Sequence, residues 1–311
     1  MMGLQGVLAT VVATETSPVI RGHLNSYPLV ANTADPNNGS WPWWRTPVSN
    51  TEAEFDAIRS AYGSFVLQVN HPISLGMADL AGWAPGEVAR GDFWSSDFDA
   101  MELANGGGYD RYFDLWVDLV NRGLIFTPTG VTDGHGPFGS GFGVNGTWFH
   151  LGVDDPAEYT DEALRTTMRQ GAVVVSRGVH LLTEPLPGSL VAAGTELQVE
   201  ARSASWAAVD RVELLLNGQV VATEEGPGPH VFSLSPDADG WYAVAASGDT
   251  SMWPVYDTTP WAITNAIYVD VDGDGWQAPM GPLDIQASSE FPPAELFDAH
   301  AAHHGLEVAP E

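Results

Sequence analysis

Up to residue 184, short apolar runs alternate with amphipathic stretches. The runs Val7–Thr14, Ser64–Asn70, Gly123–Thr132 and Ala172–Ser176 have the length and apolar density of strands. Between them, Thr51–Gly63 opens on a threonine and acids and stops at glycine, as a capped helix does. Tyr109–Arg122 places Tyr112, Leu115, Trp116, Leu119 and Val120 on one helical face, and Thr160–Gln170 again begins with threonine and acids. Strands alternating with helices predict an α/β architecture. At Pro185-Leu186-Pro187-Gly188 the helical patterning ends and period-two alternation takes over. Strands are expected at Glu196–Ala201, Val209–Leu216, Gln219–Ala222, His230–Leu234, Trp241–Ser247 and Ala262–Val271, with Asn217-Gly218 as a hairpin turn. The expected organisation is an α/β domain over 1–184, a β-sandwich over 185–285 and a peripheral tail over 286–311.

Composition narrows the function. The chain has 311 residues, 44% of them hydrophobic, with twelve tryptophans, enough for real cores. Forty acids face eleven bases, a net charge of −29, and every base is arginine. Without lysine there is no Schiff-base chemistry and no P-loop. A field this negative repels nucleic acid and anionic membranes. With no cysteine, disulfides, thiolate metal sites and a cysteine nucleophile are absent. No apolar run approaches the ~20 residues that cross a bilayer, so no membrane insertion is expected. The start, Met1-Met2-Gly3-Leu4-Gln5-Gly6, lacks the basic flank of a signal peptide and leads straight into an apolar run. The chain is therefore expected to be part of a longer, extracytoplasmic protein whose export signal precedes residue 1.

Five metal-ligating side chains follow the apolar runs: Glu15, His23, His71, Asp133 and His135. In barrels of repeated strand–helix units, side chains at the C-terminal strand ends converge on one face. Imidazoles and carboxylates gathered there suit zinc, manganese or iron. A metal ion lowers the pKa of bound water to about 7, giving a hydroxide that attacks phosphorus or carbonyl centres. Arg21 and Arg177 are candidates to bind an anionic group of a small-molecule substrate. Asp270, Asp272 and Asp274, in Asp270-Val271-Asp272-Gly273-Asp274-Gly275, match the first half of a calcium loop. Gly281 stands where an EF-hand needs glutamate, which leaves a simpler calcium clip. Gly141-Phe142-Gly143-Val144-Asn145-Gly146 fits a dinucleotide fingerprint in letters, but the residues after it do not read as a helix. His300, His303 and His304 fall in the tail and are not expected to bind metal.

Ala13-Thr14-Glu15, Gly22-His23-Leu24-Asn25, Val69-Asn70-His71-Pro72, Asp99-Ala100-Met101-Glu102, Asn121-Arg122-Gly123 and Asp133-Gly134-His135 together resemble the polymerase and histidinol phosphatase (PHP) superfamily of hydrolases. More narrowly they resemble its carbaryl-hydrolase-like branch, as do Val173–Gly178 and Asn265–Gly275. The resemblance implies a distorted (β/α)7 barrel binding up to three metals. It implies that Glu15 bridges two of them, with His23 and His71 on the second, Asp133 on the first and His135 on the third. The family's opening His-x-His and Asp-His pairs do not occur here, which also suggests a missing N-terminal part. The expected function is a metal-dependent hydrolase of phosphoester or amide and carbamate bonds, impaired by the missing ligands. The alternative is a non-enzymatic carbohydrate-binding or adhesion protein built on the β-sandwich.

Overall fold

The computed structural model describes residues 8–18, 21–35, 37, 39–43, 48–134, 144–293 and 296. The chain divides into two compact units, each assembled from separate stretches. The first holds residues 1–102, 154–165 and 282–311, the second 103–153 and 166–281.

In the first unit β1 (Thr14–Thr16), β2 (Leu24–Tyr27) and β3 (Val66–Val69) pair antiparallel in that order. Leu24 faces Val69, and Glu15 faces Asn25. β3 is buried along its whole length and pairs in parallel with the start of β6 (Ala100–Asn105), Val69 beside Met101. Helix α1 (Thr51–Tyr62) buries Phe55 and Ile58. Its cap is Asn50 rather than Thr51: the Asn50 side chain accepts from the Ala53 N–H at 2.8 Å. Gly63 ends the helix at φ 72°, where a side chain would be strained. The unit also contains the short α2 (Met77–Leu80) and a small sheet of β4 (Trp83–Ala84), β5 (Glu87–Val88) and β19 (Asp284–Ile285).

The second unit is a β-sandwich with attached helix. One layer is the antiparallel set β10 (Val179–Glu184), β12 (Thr195–Ser203) and β15 (His230–Leu234). The larger sheet runs β11 (Leu190–Ala192), β18 (Ile267–Asp270), β16 (Gly240–Ser247), β17 (Trp261–Thr264), β9 (Val173–Arg177), β8 (Gly146–Phe149). The hairpin β13 (Arg211–Leu216) and β14 (Gln219–Glu225) joins it through β16. Asn217 and Gly218, at φ 50° and 88°, make the tight turn that the Asn-Gly pair predicts. Leu181, Leu197, Val199, Phe232 and Leu234 from one layer share a core with Val212, Leu214, Val244, Ile267 and Val269 from the other. Helix α3 (Asp110–Asn121) sets Trp116 edge-on to Trp241, centroids 5.0 Å apart. β7 (Thr127–Val131) neighbours the end of β6, and α4 (Asp161–Gln170) precedes β9.

Among the described residues no (β/α)7 barrel is formed, and the fold is mostly β. A parallel neighbour needs a crossover of about a dozen residues or more. Only residues 17–23 join β1 to β2, so they fold back antiparallel. β9, expected as a barrel strand, lies between β8 and β17 and pairs antiparallel with both. Its unbroken burial reflects an interior position in a covered sandwich sheet. The run expected as a first strand contributes only Thr14 to one, and Leu8, Val11 and Val12 are exposed.

Candidate metal centre

Pairing of Leu24 with Val69 brings the residues flanking those strands to one end of the sheet. There the Asn70 N–H donates to the His23 carbonyl at 2.9 Å, locking the two histidine-bearing segments together. Gly22, at φ 82°, lets its segment approach closely: a Cβ there would lie 2.5 Å from the Met77 nitrogen. His71 takes φ 29°, a left-handed conformation that costs a non-glycine residue about 1–3 kcal/mol. The backbone is thus held in a costly shape where the two imidazoles meet.

The His23 Nδ1 lies 3.2 Å from the His71 Nε2 and 3.1 Å from a Glu15 carboxylate oxygen. One ligand atom from each of the three residues falls within 4.8 Å of the others. Zinc–ligand bonds of about 2.0–2.2 Å with tetrahedral angles separate donor atoms by roughly 3.2–3.5 Å. Two of the three donor separations therefore already stand near the edge length of such a polyhedron. The His71 Nδ1 meets the Ser74 carbonyl at 3.0 Å, which makes Nδ1 the protonated nitrogen and turns the Nε2 lone pair toward His23 and Glu15. The Asn70 amide donates to Glu15 at 3.3 Å. Both histidines are buried. The hydrogen bond to His23 outweighs burial and holds the Glu15 carboxyl below its ordinary value, so the acid is a carboxylate at neutral pH.

Behind the ligands, buried Glu102 accepts from the His71 backbone N–H at 2.7 Å. The Tyr27 hydroxyl donates to Gln68 at 2.8 Å. Burial, with Glu102 and Asp99 nearby, pushes the Tyr27 hydroxyl far above the usual range and keeps it neutral. Asp99 instead accepts from the Leu67 N–H at 2.8 Å and pairs with Arg59 at 3.1 Å, both structural tasks.

The other sequence candidates have different surroundings. Asp133 follows β7 in the second unit at φ 49°, accepts from Asn105 at 3.4 Å and joins no cluster of three ligands among the described residues. His135 lies outside the described residues, as do His300, His303 and His304. Arg21 donates to the Val48 carbonyl at 2.9 Å and stands 3.9 Å from Glu54. Arg177 is buried and bonds Asn145, Thr258 and the carbonyls of Gly106 and Gly107 at 2.7–3.2 Å, with Trp261 beneath it. These bonds tie loops together.

Asp270 ends β18, and Asp272 and Asp274 sit in the turn after it. Asp239, absent from the sequence candidates, joins Asp270 and Asp272 in a second ligand cluster. It arrives there because Gly240 pairs with Val269, a register that no local pattern announces. A hydrogen bond and charge repulsion from Asp272 raise the Asp274 carboxyl above its ordinary value, with Asp270 and Asp239 adding to the repulsion.

No family model and no curated protein matches the chain. Among solved structures it is similar to fibronectin(III)-like modules of CbhA from Clostridium thermocellum, at 20% identity and TM-score 0.21, covering 30% of this chain and 96% of that one. It is also similar to a CARDB domain of a Pyrococcus furiosus protein in complex with di-metal ions, at 16% identity and TM-score 0.20, covering 30% and 93%. The strand pairing overturns membership of the PHP superfamily: among the described residues there is no barrel whose strand ends would gather the ligands. The hydrolase assignment and its metal-hydroxide chemistry rested on that barrel and are withdrawn with it. No helix among the described residues is long and apolar enough to cross a membrane.

Proposed function

We propose that this chain is a non-enzymatic carbohydrate-binding or adhesion protein that holds a divalent metal at Glu15, His23 and His71. The observation carrying the binding role is the set of tryptophans that the sandwich unit leaves in solvent. Trp148, Trp206 and Trp253 are 47%, 43% and 70% exposed, whereas Trp241 and Trp116 are fully buried. An exposed indole presents a rigid apolar face and a hydrogen-bonding edge, the combination that stacks on a sugar ring. Trp148, on the edge strand β8, lies nearly parallel to the His180 ring at 4.7 Å and 20°. With a net charge of −29 the chain favours neutral over anionic glycans. The whole chain should bind neutral glycans on an array, and replacing Trp148 and Trp253 with alanine should weaken that binding at least tenfold. Binding unaffected by both substitutions would remove this reading.

The metal has a separate basis, the spacing of the three donors and the Ser74 carbonyl that orients His71. Nitrogen and carboxylate ligands suit zinc, manganese or iron. The metal would fix β1, the start of β2 and the end of β3 as one rigid support. Calcium, a hard cation served by carboxylate oxygens, suits Asp239, Asp270 and Asp272 with Asp274 beside them. Elemental analysis of the dialysed chain should find about one transition metal, with calcium counted in the same sample. A chain that takes up neither ion would remove both assignments.

A further inference from the structure

A cavity of about 400 Å³ lies wholly within the second unit, and neither the exposed tryptophans nor Asp239, Asp270 and Asp272 line it. Its floor is built by backbone. β11 and β18 pair in parallel with Leu190 beside Tyr268, and the Tyr268 N–H donates to the Ser189 carbonyl at 2.8 Å. Gly188, at φ 81°, donates to the Ala266 carbonyl at 2.7 Å and presses so close to Gln170 that no side chain would fit. The wall is aromatic: Trp276 stands edge-on to Tyr268, centroids 4.8 Å apart, its indole N–H held by the Gly240 carbonyl at 2.9 Å. Ile125 and Leu190 line the mouth and are 63% and 58% exposed.

One cation breaks this apolar lining. Tyr268 is 5% exposed and its hydroxyl is buried, so the tyrosine adds to the apolar wall. Arg169, in the last turn of α4, also lines the cavity and supplies a cation in a chain with only eleven. A cavity of this volume with an apolar lining and a charged side chain at its wall is the form a small-molecule site takes.

We propose that this cavity binds a small amphiphile with a flat apolar body and a carboxylate end. The body lies between Trp276, Leu190 and Ile125, and the carboxylate accepts from Arg169. At physiological salt, fields are screened within about 8 Å, so the neighbouring guanidinium outweighs the distant net negative charge. 1-Naphthoate and its neutral amide, 1-naphthamide, are suitable probes for isothermal titration against the full chain. Naphthoate should bind one to one and at least fivefold more tightly than the amide. Arg169→Met should erase that preference while leaving amide binding in place. Leu190→Asp, a change at an exposed position with unaltered circular dichroism expected, should abolish both. Absence of saturable naphthoate binding, an equal affinity for the two probes, or binding that survives Leu190→Asp would overturn the proposal.

Discussion

Glu54 sets two electrostatic effects against each other, and a single substitution decides between them. The residue is 1% exposed on α1, and its carboxylate stands 3.9 Å from the Arg21 Nε. An ion pair at that distance favours the charged acid, whereas burial favours the neutral one. Burial wins: it pushes the Glu54 carboxyl from 4.5 up to about 7, with Arg21 pulling weakly the other way. The folded state then holds a proton that the unfolded chain has already released between pH 4.5 and 7. Stability is therefore fully present below pH 4.5 and declines as pH rises through about 7. Roughly 2.5 units at about 1.36 kcal/mol each give a loss on the order of 3 kcal/mol by pH 8. Glu54→Gln keeps the shape of the protonated acid and removes the titration. Urea unfolding at pH 5 and pH 8 should show the wild type weakening by about that amount and the variant nearly level, given a net ~1.36 kcal/mol per unit. A variant less stable than the wild type at pH 8 would show that the Arg21 pair dominates and that the reasoning is wrong.

Two further outcomes follow from the packing and the metal cluster. Saturating zinc at about one hundred times its dissociation constant should stabilise the wild type by roughly 2.7 kcal/mol, and His71→Ala should lose that gain. An equal zinc-induced shift in thermal unfolding of the variant would place the ion elsewhere. Trp241→Phe removes the indole N–H that donates to Asn121 at 2.7 Å, leaving a buried acceptor unpaired and a void beside Trp116. The expected cost is about 2–4 kcal/mol in urea unfolding, and a loss below 1 kcal/mol would mean that the Asn121 carbonyl finds another donor.

Local elements were legible because their signals are local. Helices α1, α3 and α4 fall within a residue or two of the stretches bounded by their acids and closing glycines. The Asn217-Gly218 turn and the strand His230–Leu234 stand where the alternation puts them. Partner choice was not legible. The buried run Val173–Arg177 reads equally well as a barrel strand or as a sandwich interior, because both cover the strand on two faces. Its actual neighbours, Trp261–Thr264 and Gly146–Phe149, lie far along the chain and leave no mark on its composition.

The same distinction runs through the candidate sites. Glu15, His23 and His71 stand together because two short antiparallel pairings, Glu15 with Asn25 and Leu24 with Val69, fold their segments onto one sheet end. A resemblance in motif order pointed to those three residues through a barrel that the described residues do not form. Grouping in space therefore says nothing in favour of the barrel's chemistry. Asp239 shows the converse: it joins Asp270 and Asp272 through the pairing of Gly240 with Val269, although its own surroundings in the sequence read as an ordinary acidic turn. Tyr268 and Arg169 face the same cavity for a similar reason, brought there by the β11–β18 pairing and the end of α4. In each case the residue type was visible in the sequence, and the register that gives it company was set by hydrogen bonds between distant strands. A site assignment for this chain is only as sound as the strand pairing beneath it.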